Sequence, residues 1–239
     1  MGLRDPLQTA KQCATIDYLS GGRLLPAFGL GSNRSRDFIA SGTPTQGRGS
    51  RMNEALEIMT RLWSQEEVSF EGNHFRYDKA TISPRPVQSP LPLWIGGSAE
   101  AAIIRTAKYG TGWQAAAESP EEAGGVVEKI LVAARNQGRS IDADHFGAGF
   151  GVRFGSWRDA PLEKLAADFE KRTGRPATRG FVVGGADEIL ERIQAYVDHG
   201  ISKFILRPIG LGDAEMEDQT EQLLEGVLAQ TSQLRQYGQ

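Results

Sequence analysis

Apolar positions along this chain follow two spacings. A 3.6-residue rhythm places Met52, Ala55, Leu56, Met59, Leu62 and Trp63 on one face of a helix from about Arg51 to Trp63, whereas alternation over residues 146–154 predicts a strand. Asp5 and Pro6 open an earlier helix as N-cap and first-turn proline. Leu7, Ala10 and Ala14 share its face, and Ser20, Gly21 and Gly22 end it. The apolar segment 23–28 predicts a strand emptying into a loop of Gly29, Leu30, Gly31, Ser32 and Asn33, although Pro26 argues against a fully paired central strand.

After residue 92 strands and helices alternate. Helices are predicted from the Gly96-Gly97 junction to about Lys108, from Pro120 to Asn136, Leu162 to Lys171, Ala186 to His199 and Ala214 to Leu234. Strands of the parallel type fall near residues 24, 93, 112, 150 and 204, and this alternation implies an α/β fold with a helix-covered parallel sheet. Residues 34–92 break the rhythm and read as an insertion. A polar loop there precedes the Arg51 helix, residues 68–70 and 75–77 form a hairpin about Gly72 and Asn73, and residues 83–90 are a proline-rich connector.

At 239 residues and 39% hydrophobic content, one core and a single domain over 1–239 are the expectation. A net charge of −3 gives no attraction to nucleic acid or an anionic membrane. No apolar run approaches the roughly 20 residues needed to cross a bilayer, and the first residues lack the basic start and apolar middle of a secretion signal. The expected location is cytoplasmic. Cys13 stands alone, which excludes an internal disulfide, and His74, His145 and His199 are far apart without carboxylates at ligand spacing, so no metal site is expected.

The richest chemistry lies where the strand near residue 93 runs through Gly96, Gly97 and Ser98 into a helix. Glycines let backbone amides approach a ligand, and the helix start adds unpaired N–H groups and positive dipole, so the junction suits an anion. Ser98 is placed at the N-cap. The same pattern also fits a capped βα turn without a ligand. Gly29 and Gly31 form a second loop of this kind, although Arg34 stands where a dinucleotide fingerprint needs its third glycine. Arg23, Arg34, Arg36, Arg48 and Arg51 crowd that neighbourhood as phosphate partners or as a solvated face. Arg153 and Arg207 sit at predicted C-terminal strand ends, as binders of an anionic substrate or members of salt bridges. Trp113 suits either a pocket wall or the core. The Gly184-Gly185 junction has Asp187 and Glu188 beside it and reads as a structural cap.

Five ordered segments carry a family resemblance: residues 14–23 (ATIDYLSGGR), 54–63 (EALEIMTRLW), 68–77 (VSFEGNHFRY), 83–88 (SPRPVQ) and 92–98 (PLWIGGS). Together they resemble the bacterial luciferase-like flavin-dependent oxidoreductases, including alkanesulfonate monooxygenase types and F420-dependent reductases, over about residues 5–235. That resemblance implies a TIM-type (β/α) barrel with FMN or coenzyme F420 at the C-terminal strand ends, and a phosphate-holding role for Gly96, Gly97 and Ser98. It implies FMN-dependent monooxygenation or F420 hydride transfer on a small organic substrate, a flavin reductase as electron donor, and a homodimer. About five of the eight barrel strands are expected here, because family members start with three further βα units. Catalytic residues placed in those units cannot be carried over, so none is assigned, and a non-catalytic flavin-binding remnant or truncated pseudoenzyme is the alternative. An isomerase- or aldolase-type barrel would need a lysine or paired carboxylates at strand ends, and Lys203 lies at the wrong end of its strand.

Overall fold

In a computed structural model, residues 2–32 and 35–233 are described; Asn33, Arg34 and Leu234 of the expected elements lie outside them. The chain divides into two compact units, Met1–Gly112 with Ala133–Ile141, and Trp113–Val132 with Asp142–Gln239.

The first unit contains α1 (Pro6–Leu19), β1 (Ala27–Phe28), α2 (Arg36–Ala40), α3 (Arg48–Ser64), β2 (Val68–Glu71), β3 (Arg76–Ala80), β4 (Trp94–Gly96) and α4 (Glu100–Tyr109). Asp5 caps α1 as its sequence predicts, accepting from the amides of Leu7 at 2.9 Å and Gln8 at 3.1 Å. The stripe on α3 buries Met52, Leu56, Ile58, Met59 and Leu62 against Ala10 and Ala14 of α1 and Leu93 and Ile95 around β4. Each such burial contributes roughly 1.5–3 kcal/mol for a large aliphatic side chain. Trp63 joins this core while its Nε1 donates to the Ala10 carbonyl at 3.0 Å, which leaves its polar atom satisfied.

Two carboxylates organise the irregular segments. Glu54, on α3, accepts from the backbone amides of Asn73 at 2.9 Å, His74 at 2.9 Å and Phe75 at 3.2 Å, and so fixes the turn between β2 and β3. Phe70 pairs with Tyr77 and Glu71 with Arg76 in that antiparallel hairpin. Asp17, fully buried on α1, accepts from Val87 N at 2.7 Å, Gln88 N at 3.0 Å and Gln88 Nε2 at 2.6 Å, so the proline-rich connector is clasped to the helix. Tyr77 ties the hairpin to the α1 cap through Asp5 Oδ2 at 2.7 Å.

The second unit holds β5 (Gly112–Gln114), most of α5 (Pro120–Arg135), β6 (Phe146–Phe154), α6 (Ala160–Thr173), β7 (Phe181–Gly184), α7 (Ala186–Val197), β8 (Lys203–Pro208) and α8 (Gly212–Gly226). The long β6 is its spine. It pairs in parallel with β5 through Trp113↔Phe146, with β7 through Gly151↔Phe181 to Phe154↔Gly184, and with β8 through Gly147↔Lys203 to Val152↔Pro208. A Cβ at Gly151 would collide with the Phe181 ring, so the close strand pairing requires glycine there.

The structure departs from the sequence expectations in four places. β1 shrinks to two residues because Pro26 has no N–H to give; only its carbonyl takes part, accepting from Trp94 N at 2.9 Å. β7 makes six strands in parallel pairings among the described residues, where the sequence pattern predicts five; four residues between two glycines are too short a pattern to count. The short α2 sits in the supposedly polar loop, capped by Ser35 through Asp37 N at 3.3 Å. The last helix stops at Gly226 and passes into a 3-10 turn over Leu228–Gln233.

Burial raises the Asp17 pKa, but the hydrogen bonds from Gln88 and Val87 outweigh it and hold the carboxyl below its ordinary value of 3.8. The clasp's contribution is therefore complete above that value and is lost as pH falls below it. Asp17→Asn keeps an oxygen for the Val87 and Gln88 amides but sets an NH2 against Gln88 Nε2, and should cost about 1–3 kcal/mol for that one orphaned donor and the lost charge. Urea denaturation at pH 7 and pH 3 checks both statements: the variant's deficit should be large at pH 7 and shrink at pH 3.

Candidate cofactor-binding site

The parallel register Ala27↔Trp94 and Phe28↔Ile95 sets the segments after these strands side by side. The loop of Gly29–Ser32 therefore emerges next to Gly96, Gly97 and Ser98, on the C-terminal edge where β/α folds collect ligands. Burial of Trp94 and Ile95 anchors β4 from beneath. The five first-unit residues singled out in the sequence, Gly29, Gly31, Gly96, Gly97 and Ser98, come together in this way.

Each loop has a reason for its glycines. Gly31 has φ of +72° and lies against the Phe38 ring, and Gly97 has φ of +106° with Ala102 beneath it, where an added Cβ would come within 3.3 Å of the Ala102 methyl. A side chain at Gly29 would meet nothing within 4 Å, so that position faces open space. Arg48, the first residue of α3, donates from Nη1 to the Gly31 carbonyl at 2.9 Å and brings a positive charge to the loop. Sequence reasoning groups Arg48 with four other arginines, and no local pattern distinguishes it. Of that group, Arg51 lies over the Phe75 ring at 4.3 Å, and Arg34 is outside the described residues.

The α4 N-cap is Ala99, not Ser98 as expected, and no side chain caps the helix. Helix φ and ψ begin one residue later because Gly97, with its positive φ, uses an extra residue to turn the chain. Ser98 is exposed, with its hydroxyl uncommitted to the helix. The Gly184-Gly185 junction differs. There Glu188 reaches back to accept from Gly185 N at 2.7 Å, and that amide holds the Glu188 carboxyl below its ordinary value, so the protein supplies its own anion. At α4 it supplies none, although Glu100 stands exposed in the first turn. A backbone cradle with an uncapped helix start, an uncommitted hydroxyl and a neighbouring arginine fits a phosphoryl group.

The remaining candidates belong to the second unit. Trp113 is fully buried, as a core residue. Arg153 is buried, and its guanidinium donates to Asp159 Oδ2 at 2.8 Å, Glu215 Oε1 at 2.6 Å and the Ile209 carbonyl at 2.8 Å. Burial opposes its charge, but those carboxylates win and raise its pKa, so an internal clamp accounts for its position. Arg207 on β8 is exposed and has no ion-pair partner among the described residues; partial desolvation of its guanidinium and the field of Arg172 lower its pKa. The absence of carboxylates near the histidines needs correcting: His145 comes within 4.8 Å of Asp142 and Asp144. Lys203, at the N-terminal end of β8, already pairs with Asp144 Oδ2 at 3.0 Å, and the group is largely exposed.

A parallel β/α framework with glycine loops side by side at its strand ends is the arrangement in which β/α folds collect ligands. The chain belongs to the luciferase-like monooxygenase family, which it matches over residues 1–179. It is 25% identical over 246 residues to the F420-dependent glucose-6-phosphate dehydrogenase of Intrasporangium calvum, covering 90% of this chain and 73% of that one. It is 35% identical over 94 residues to the uncharacterised Mycobacterium tuberculosis protein Rv0953c; that match spans 39% of this chain and only 33% of the relative. The fold superposes on coenzyme F420-dependent tetrahydromethanopterin reductase from Methanopyrus kandleri with a TM-score of 0.75 at 17% identity, covering 97% of this chain and 80% of the other. Other enzymes of the same fold were solved with FMN or an F420 adduct. The luciferase-like TIM-type α/β fold expected from the sequence is thus the fold of its neighbours.

Gly97→Ala should strain the backbone by about 1–3 kcal/mol, the cost of a non-glycine residue in a sparsely populated region. A lowered melting temperature checks this, and Gly29→Ala, facing open space, should leave it nearly unchanged.

Proposed function

We propose that this chain is the cofactor-holding body of an FMN- or F420-dependent oxidoreductase acting on a small organic substrate. The observation that carries the proposal is the pairing of β1 with β4, which sets two glycine loops beside an α4 start that no side chain caps. Ser98 and the amides around Gly96 and Gly97 would hold the cofactor's phosphoryl group, with Gly29 and Gly31 admitting it closely and Arg48 adding positive charge. When bound, such a cofactor supplies hydride or oxygen chemistry. The residues of this chain bind it, fix its orientation and set the sign of the field around its phosphate. Arg207, exposed on β8 without a carboxylate partner among the described residues, is the proposed contact for an anionic substrate group. A flavin reductase as electron donor and a homodimer complete the proposal for an FMN-dependent enzyme. F420-dependent enzymes and monooxygenases both stand among the similar proteins, so F420 hydride transfer and FMN-dependent oxygen insertion are supported alike.

Titration with FMN, reduced FMN and F420, followed by absorbance and fluorescence, tests the reading. At least one should bind saturably, and Ser98→Ala should weaken it by about 1–2 kcal/mol for one lost charge-assisted hydrogen bond, about fivefold to thirtyfold in Kd. Binding of none of the three, or an unchanged constant in the variant, would reject the assignment.

A further inference from the structure

A cavity lies between α3 and α4, lined by none of the strand-end loop residues. It has a volume of about 440 Å³ and opens between two helical stripes of i, i+3, i+4, i+7 spacing. Ser50, Asn53, Glu54 and Glu57 come from α3; Ile104, Arg105 and Lys108 come from α4. Most charges in this cleft are already answered. Glu54 receives three backbone N–H groups from the hairpin turn. Glu57 accepts from the Tyr109 hydroxyl at 3.2 Å and stands 4.0 Å from the Lys108 ammonium.

Arg105 differs from these. It is only 4% exposed, yet its partners are neutral: Nε donates to Asn53 Oδ1 at 2.7 Å and Nη2 to the Gly49 carbonyl at 3.4 Å. No carboxylate pairs with it among the described residues, and Nη1 has no acceptor there. A buried guanidinium without counter-charge is costly, and burial accordingly pulls its pKa below the ordinary value. Asn53 orients the fork while leaving its charge unspent.

We propose that this cleft binds a small monocarboxylate, with the carboxylate on the Arg105 fork and its short body against Ile104. Guanidinium geometry matches a planar two-oxygen anion. The carboxylates of Glu54 and Glu57 nearby disfavour a ligand of higher negative charge, which separates a monocarboxylate from phosphate. The site is independent of the cofactor loops, since none of Gly29, Gly31, Gly96, Gly97 or Ser98 lines it.

NMR titration of the full chain with sodium acetate and sodium propionate, against sodium chloride at equal ionic strength and against inorganic phosphate, tests this. Saturable amide shifts confined to α3 and α4 are expected with the carboxylates and not with chloride. Arg105→Gln should weaken the response at least about tenfold, the loss of roughly one charge-assisted bond. Ile104→Trp, at a half-exposed position, should block the cleft without disturbing the core and keeps the test decisive if the arginine variant does not fold. Equal shifts with chloride, tighter binding of phosphate, or an unchanged affinity in a folded variant would overturn the proposal.

Discussion

The first unit depends on the buried carboxylate of Asp17. A proline-rich segment cannot pair its backbone regularly, because each proline removes a donor and fixes φ. The connector from Ser83 to Pro90 must nevertheless deliver the chain to β4 in one register, since Phe28↔Ile95 and its neighbour decide which loops stand together. Asp17 meets this need by taking two successive amides and one side-chain amide from residues 87 and 88, while Gln88 Nε2 also reaches the Leu24 carbonyl at 2.8 Å. One charged group thereby locates both the segment entering β1 and the segment entering β4. The segments 14–23 and 83–88, two of the five that carry the family resemblance, are the two halves of this single contact.

The second unit solves a related problem by different means. There β6 is long enough to receive three partners, and Gly149 and Gly151 let neighbouring side chains cross it. Phe150 stacks on Tyr196 with centroids 6.0 Å apart, and Tyr196 donates to the Glu118 carbonyl at 2.6 Å, so α7 is held by an apolar face and a polar tip together. At the other end of β6, Arg153 gathers Asp159 and Glu215, fixing the starts of α6 and α8.

Where the sequence is legible, the physics is local. The α1 cap at Asp5, the apolar stripe of α3 and the hairpin about Gly72 and Asn73 each arise from spacing within a few residues. The same holds for the glycine loops, whose positive φ values at Gly31 and Gly97 justify the residue type. Misreadings arise where a distant partner decides. Nothing near Arg153 in the chain announces Glu215, and nothing near Arg48 announces the Gly31 carbonyl. Ser98 falls one residue short of the cap because the turn at Gly97 uses an extra residue, a matter of backbone angle that side-chain identity does not encode.

Arg48 is at once a strut and a charge. Its Nη1 props the Gly31 carbonyl, and the same guanidinium makes the loop electropositive. Neutralising it to change the loop's preference among anions would also slacken the backbone that receives them. Selectivity and shape at this rim are therefore inherited as a pair, and drift toward a neutral ligand would have to rebuild the loop from another direction.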